Sequence, residues 1–155
     1  MASLRREVHI HAHVDTVWDA LRDVGALHTR LAPGFVVDTR MEGNTRIVRF
    51  GNGMEAREDI VGIDEGGRRV CWAIVGAQFH HYNGVAQVTP HPLGGSHFVW
   101  TADLLPDELA PAVESMMEAG IAVIKEAMEA ARGVPMPPET RETLSPGPST
   151  PARHN

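Results

Sequence analysis

Three residues in the middle of the chain, Glu58, His80 and Tyr82, have side chains that could transfer a proton. Around Glu58, apolar and charged residues alternate, and Glu58 falls on the apolar side of that alternation. A carboxyl group that faces an apolar interior is desolvated, which favours the neutral form that can donate a proton. His80 and Tyr82 share the more apolar parity of a later strand. Together they predict a set of catalytic residues for acid–base chemistry on a carbonyl compound.

Each of these residues also has a structural interpretation. Glu58 could form an ion pair with an arginine such as Arg46 or accept a hydrogen bond from a tyrosine hydroxyl. His80 could simply satisfy a backbone carbonyl. A slip of one residue in the strand register would turn Glu58 outwards and bring Arg57 and Asp59 inwards. Catalytic and structural roles therefore both stay open.

Three further histidines, His9, His11 and His13, alternate with apolar residues near the N-terminus. Alternation places them on one face of a strand, about 7 Å apart for a rise of about 3.3 Å per residue. Three ligands in a line cannot converge on one tetrahedral ion without help from another element. We therefore predict histidines that face solvent and no metal site.

A long amphipathic helix is the main element that must position such side chains. The spacing predicts it over residues 107–132, with Asp107 as N-cap and Gly133 and Pro135 at its end. Its apolar residues recur at steps of three and four: Leu109, Val113, Met116, Met117, Gly120, Ile121, Ile124 and Met128. A single helix cannot bury this stripe by itself, so the rest of the chain must supply an apolar surface.

Strand-like segments precede this helix. Residues 8–12 alternate as a first strand, and two short helices should follow before Pro33 and Gly34. Six further strands are predicted at residues 35–40, 45–50, 54–63, 69–75, 80–89 and 96–105. Short glycine-rich connections between consecutive strands are typical of antiparallel hairpins. The predicted order is β-α-α, six strands and a helix, an α+β fold.

Residues 10–23 resemble the opening signature of the START-like, or SRPBCC, superfamily, in which a strand turns into a helix with a Val-Trp pair, here Val17 and Trp18. Other positions resemble its polyketide cyclase/dehydrase branch, close to the MxaD-like members: residues 53–58, Asp64, Arg69, Trp72, His81, Tyr82, residues 88–90 and Trp100. Two positions depart from the pattern, since His13 replaces a usual proline and Leu31 a frequent tryptophan.

This resemblance implies a helix-grip fold, in which a bent seven-stranded antiparallel sheet wraps around the long C-terminal helix and leaves a cavity. Members of the superfamily bind lipids, sterols, hormones and polyketides, and some are enzymes, so the fold alone does not choose a function. We expect binding of a small hydrophobic or aromatic, polyketide- or lipid-like ligand. A cofactor-free cyclase, dehydratase or aromatase using Glu58, His80 and Tyr82 is the first alternative. A packed interaction protein without a ligand is the second.

The expected ligand-binding wall combines large aromatic residues of the sheet with one face of the helix. Its members are Trp72, Phe98, Trp100, Met117, Gly120 and Ile121. Gly120 costs the helix about 1 kcal/mol relative to alanine, which indicates close approach of a strand or a ligand. Methionine is flexible and suits irregular ligands, although at helical spacing it often belongs to an ordinary core.

Composition limits the partners. The 155 residues predict one domain, residues 1–132, followed by a Pro-, Ser- and Thr-rich tail, residues 133–155, that should be disordered. A net charge of −6 with scattered charges argues against nucleic acid as a partner and leaves a small hydrophobic molecule open, which is the partner we expect. A homodimer stays open. The sequence lacks the phosphate-, dinucleotide- and zinc-binding motifs, so we expect no cofactor. It has one cysteine and no long apolar run, which predicts a cytoplasmic protein without membrane insertion.

Overall fold

A computed structural model of the chain describes residues 1–132. Seven strands are present: β1 (Ala2–Ile10), β2 (Val36–Glu42), β3 (Thr45–Phe50), β4 (Glu55–Asp64), β5 (Arg69–Ile74), β6 (His81–Pro90) and β7 (Ser96–Leu105). Helix α1 spans Val14–Arg22 and helix α2 spans Ala110–Arg132. A 3-10 turn (Val24–Ala26) and a π-helical turn (Leu27–Leu31) follow α1, and a 3-10 turn (Asp107–Leu109) precedes α2. The tail predicted for residues 133–155 lies outside the described residues.

The seven strands form one open antiparallel sheet in the order β1-β7-β6-β5-β4-β3-β2. Strands β2 to β7 pair with their neighbours in the chain, and β1 closes the order by pairing with β7. This arrangement confirms the predicted helix-grip fold. In place of the second predicted short helix, the chain forms a 3-10 turn followed by a π-helical turn.

Helix α2 packs its apolar stripe into the core. Its fully or nearly buried residues are Val113, Met117, Ile121, Ile124 and Met128. Burying a side chain of this kind contributes about 1.5–3 kcal/mol, so the stripe is a major source of stability. Polar contacts on its margin attach the helix to β1: Arg6 pairs with Glu118 at 2.9 Å, and the Lys125 Nζ donates to the His9 carbonyl at 2.6 Å. No helix within residues 1–132 is both long and apolar enough to cross a membrane.

Gly120 lies where α2 comes closest to two aromatic rings. A Cβ atom at this position would lie 2.9 Å from Phe35 and 2.9 Å from Trp100, closer than carbon atoms approach in folded proteins. Glycine therefore lets both rings rest against the helix backbone. The close approach predicted for Gly120 is present, and its partners are protein side chains.

The N-terminal histidines do not share one strand face as predicted, because β1 ends at Ile10. His13 instead caps helix α1, its Nδ1 accepting a hydrogen bond from the Asp15 backbone N–H at 3.0 Å. His9 stacks on His91, with ring centroids 3.6 Å apart, and His11 lies 4.4 Å from His9. Within residues 1–132, no three histidine, cysteine or acidic side chains converge in a way that could hold a metal ion.

Acid should destabilise the protein through this histidine cluster. Burial lowers the pKa of His91, and positive charge on His9, His97 and His11 lowers it further. The unfolded chain therefore binds a proton at His91 more readily than the folded protein does. The stability that this difference contributes is complete above the ordinary histidine pKa of about 6.5, and it is lost as the pH falls through the lowered pKa of His91 in the folded protein. His91→Asn, which keeps an acceptor for the Leu93 N–H, should reduce the fall in Tm on acidification from about pH 7.5 to about pH 5.

His80→Asn is the matched control for this experiment. His80 is exposed and lies beside Leu105, at the opposite end of β7 from the cluster. The control should leave the acid dependence of Tm unchanged. Equal effects of the two substitutions would contradict the role assigned to His91.

Candidate ligand cavity

A cavity of about 880 Å³ lies between the concave face of the sheet and the helices. Cavities of about 300–1,000 Å³ are typical of small-molecule sites. The wall is mainly apolar. Its buried or partly buried apolar members from the sheet are Val36, Phe50, Ala56, Trp72, Ile74, Ala86, Phe98 and Trp100, and those from the helices and turns are Leu21, Leu27, Leu31, Ala32, Phe35, Phe79, Leu109, Val113, Met116 and Ile124.

Small residues on β6 help to keep this space open. Tyr82, Gly84, Ala86 and Val88 alternate towards the interior of the sheet. Gly84 pairs with Trp72 across strands, and a Cβ atom on Gly84 would lie 2.5 Å from the Trp72 indole. The indole therefore lies directly against the glycine backbone. With any larger residue at this position, Trp72 would have to move.

A buried ion pair forms the charged part of the wall. Register places Arg46 on β3 opposite Glu58 on β4. The Arg46 Nε donates to the Glu58 Oε1 at 2.8 Å, and Nη2 lies 2.8 Å from the same oxygen. The two side chains are only 6% and 9% exposed. Because each ion compensates the other, the pair is tolerated in an apolar interior.

Arg46 makes two further contacts that hold it in place. Its Nη1 donates to the Val24 carbonyl at 3.3 Å, which attaches the 3-10 turn to the sheet. Its guanidinium carbon lies 5.6 Å from the ring centroid of Trp72, within the range of a cation–π interaction. The arginine thus connects the carboxylate, a backbone turn and the aromatic wall.

Tyr82 supplies a neutral hydroxyl to the same region. Its side chain is buried on β6 and lines the cavity. Burial raises the pKa of Tyr82, and the negative charge of Glu58 raises it further. The hydroxyl therefore keeps its proton at physiological pH and can donate a hydrogen bond. We refer to Arg46, Glu58 and Tyr82 as the polar cluster.

The sequence-predicted catalytic residues are not all brought together. Glu58 and Tyr82 line the cavity, and Glu58 is paired with Arg46, which was the structural alternative for this residue. The expectation that His80 borders the cavity is wrong. His80 lies in the bend before β6, which begins one residue later, and its side chain is exposed.

The predicted ligand-binding residues divide in the same way. Trp72, Phe98 and Trp100 lie in the cavity wall. Met117, Gly120 and Ile121 lie in the packed core outside that wall, because α2 turns a neighbouring edge of its stripe towards the cavity. That edge, together with Leu109 of the preceding 3-10 turn, consists of Ala112, Val113, Met116 and Ile124. Four of these five belong to the apolar stripe predicted for the helix. The sequence therefore identified them as buried residues but did not show which side of the stripe faces the cavity.

One end of the cavity is bordered by loops with exposed apolar side chains. Met54, before β4, is 62% exposed, and Val75, after β5, is 70% exposed. Phe79 lines the cavity from the loop that follows Val75. The sequence predicts Met54 and Val75 as the ends of strands 54–63 and 69–75, whereas the structure places both just outside β4 and β5. The sequence does not indicate that Phe79 faces the cavity, since turns carry no periodicity that would reveal it.

Comparisons with known proteins agree with this geometry. A family model described as polyketide cyclase / dehydrase and lipid transport matches residues 1–129. Among solved structures, a protein from Thermobifida fusca is 28% identical, with a TM-score of 0.70 over 86% of this chain and 94% of that one. The ginseng major latex-like protein 151 from Panax ginseng is 17% identical, with a TM-score of 0.71 over 86% and 98%.

A third solved structure with the same fold is an enzyme by name. Norcoclaurine synthase from Thalictrum flavum is 18% identical, with a TM-score of 0.64 over 84% of this chain and 85% of that one. No curated protein matches the sequence. At these low identities, the ginseng protein and the synthase show a shared fold only.

The buried ion pair should behave as a unit in denaturation experiments. Glu58→Leu or Arg46→Met leaves the other ion buried without a partner, so each should lower the free energy of unfolding by about 3–5 kcal/mol. The double variant removes both charges and should cost much less than the sum of the single effects. Urea denaturation of the four proteins measures the coupling.

The chain offers a matched control on the same two strands. Arg49 and Glu55 also face each other across β3 and β4, at 3.3 Å, but both are about half exposed. Their single substitutions to Met and Leu should each change the free energy of unfolding by about 1 kcal/mol or less. Additive effects at Arg46 and Glu58 would show that the buried contact contributes no coupling.

Proposed function

Because the chain belongs to the polyketide cyclase / dehydrase and lipid transport family, we propose that its cavity binds a small hydrophobic or aromatic molecule of polyketide- or lipid-like character. The observation that carries this proposal is an apolar cavity of about 880 Å³ with a single polar cluster in its inner wall. A site built in this way gains affinity from apolar contact and orientation from a few polar groups. A cavity of this size supports ligand binding over the alternative of a packed protein without a ligand.

Aromatic side chains supply much of the surface that such a ligand would cover. Trp72 and Trp100 lie close together in the wall, with ring centroids 6.4 Å apart and planes tilted by 56°. Phe98 is fully buried behind them on the same face of β7. Rings at these angles accept a planar ligand by stacking or edge contacts, each worth about 0.5–1.5 kcal/mol beyond the buried area.

The apolar loops at one end of the cavity would serve as its entrance. Met54 and Val75 border the cavity and remain largely exposed. Exposed apolar groups beside a cavity are typical of an entry path for an apolar ligand, because they desolvate it before it enters. Ligand entry would then require only movement of short loops, with the sheet and α2 unchanged.

A second candidate function is cofactor-free catalysis in the same cavity. The observation that favours it is a neutral hydroxyl donor, Tyr82, in the electrostatic field of a carboxylate, Glu58. In a cyclisation of a poly-β-carbonyl compound, Glu58 would remove a proton from carbon, and Tyr82 would donate to the developing oxyanion. Since Oε1 is in contact with Arg46, Glu58 would use Oε2 for the proton.

Binding can be tested with N-phenyl-1-naphthylamine, a neutral aromatic dye whose fluorescence rises in apolar surroundings. The wild-type protein should bind one dye per chain. Ala86→Phe places a ring in the cavity and should weaken dye binding at least tenfold, because the space is filled. Ala73→Phe is the control, since Ala73 has the opposite strand parity to Trp72 and lies outside the wall; it should change the Kd by less than about twofold.

Native mass spectrometry of the purified protein is an independent test of ligand binding. A mass above the denatured mass, lost when the dye is added in excess, would identify a molecule already bound in the cavity. If the dye does not bind and no added mass is present, the binding function is refuted.

The catalytic candidate has its own test with a linear poly-β-keto thioester as substrate. Loss of water from the substrate, followed by mass spectrometry, would report cyclisation. Tyr82→Phe should lower kcat by about 10²–10³, because it removes a donor to the oxyanion. Retained dye binding by this variant would show that the cavity is intact. Equal turnover with and without wild-type protein would eliminate this candidate and leave binding as the function.

A further inference from the structure

The charges in the cavity wall are balanced. Among the residues that the structure describes, the charged side chains of the wall are two arginines and two glutamates: Arg46, Glu55, Arg57 and Glu58. Only the Arg46–Glu58 pair is buried. Glu55 and Arg57 are exposed and lie near Arg49 and Glu42, at 3.3 Å and 3.5 Å. The cavity therefore offers a ligand no uncompensated charge.

The buried pair leaves little attraction for a ligand ion. Two of the Arg46 nitrogens contact the Glu58 Oε1, the third donates to the Val24 carbonyl, and its face lies over Trp72. A carboxylate or phosphate that came close enough to Arg46 would also be repelled by Glu58. Removal of an ion from water costs several kcal/mol in proteins, and here no free countercharge would offset that cost.

Tyr82 adds a directional preference without adding charge. Burial and the Glu58 carboxylate keep its hydroxyl protonated, so the cluster presents a neutral O–H donor to the cavity. A carbonyl oxygen on an otherwise apolar ligand would accept this hydrogen bond. An ammonium group has no lone pair and could not accept this hydrogen bond.

We infer that the ligand is an uncharged molecule with a hydrogen-bond-accepting oxygen, such as a ketone or quinone, and that fatty acids and other anionic lipids are excluded. The inference rests on the proposed binding function and specifies the ligand class of that same site. The excluding element is Glu58, which compensates the Arg46 charge, and the hydrogen-bond donor to the ligand oxygen is Tyr82.

Two dyes with the same ring system test the charge preference. N-phenyl-1-naphthylamine is neutral, and 8-anilinonaphthalene-1-sulfonate differs from it by one sulfonate. The wild-type protein should bind the neutral dye at least tenfold more tightly. Glu58→Gln leaves Arg46 uncompensated, so it should tighten binding of the sulfonate at least tenfold relative to binding of the neutral dye.

Further variants separate local compensation from a general effect of net charge. The double variant Arg46→Gln/Glu58→Gln has no buried charge and should return the wild-type preference for the neutral dye. Glu55→Gln makes the same charge change at the exposed mouth, where salt screens it over about 8 Å at physiological ionic strength. It should change the ratio of the two affinities by less than threefold.

The acceptor oxygen is tested with fluorenone and fluorene, which differ by one carbonyl and can displace the neutral dye. Relative to fluorene binding, Tyr82→Phe should weaken fluorenone binding by about threefold to tenfold, the effect of one neutral hydrogen bond. Equal effects on both compounds would show that Tyr82 contributes packing without a hydrogen bond.

The outcomes distinguish this inference from the function on which it rests. If neither dye binds, the proposed binding function fails. If the wild-type protein binds the sulfonate as tightly as the neutral dye and Glu58→Gln does not change the ratio, binding stands and the neutral-ligand inference is wrong. The ratio of the two dye affinities in the wild-type protein can be measured even if a variant does not fold. Circular dichroism and urea denaturation establish that each variant is folded before its affinities are compared.

Discussion

The contact between Arg46 and Glu58 is the interaction on which the site depends. Two buried ions are tolerated together because each supplies the countercharge that water would otherwise provide. The pair joins β3 to β4, attaches the turn at Val24 and supports one face of Trp72. One buried contact thus connects two strands, a turn and the aromatic part of the cavity wall. The apolar part of the cavity is a consequence of how the sheet curves around this point and α2.

Much of the architecture could be predicted from local sequence. Glycine-rich connections between consecutive strands specify hairpins, and β3 and β7 have the predicted bounds. The inward direction of Glu58 follows from strict alternation along β4, although its pairing with Arg46 depends on a register that only the assembled hairpin defines. The side chains of α2 that face the cavity could not be predicted. Its apolar stripe covers both the core contact of Met117 and the cavity contact of Met116, and the division between them depends on the curvature of the sheet.

The same polar cluster could orient a ligand or act on it, and the geometry explains why these functions are hard to separate. A neutral donor beside a carboxylate suits recognition of a carbonyl as well as stabilisation of its enolate. His80 does not take part, because β6 begins just after it and the preceding bend turns its side chain to solvent. Without that histidine, the groups of the cluster that could transfer a proton are the Glu58 carboxylate and the Tyr82 hydroxyl, and the carboxylate is paired with Arg46. This composition favours recognition as the primary function.

The absence of a side chain at Gly84 has a consequence for how ligand range changes in evolution. The depth of the cavity at Trp72 is set by a residue that lies behind the indole and outside the cavity wall. One nucleotide change converts a glycine codon to an alanine codon, and the added methyl group would displace the indole towards the ligand. Descendants of such a protein can thus acquire a different ligand size while Arg46, Glu58 and Tyr82 stay the same. Selection on ligand size would act on Gly84, and selection on ligand polarity would act on the polar cluster, although Gly84 and Tyr82 share β6.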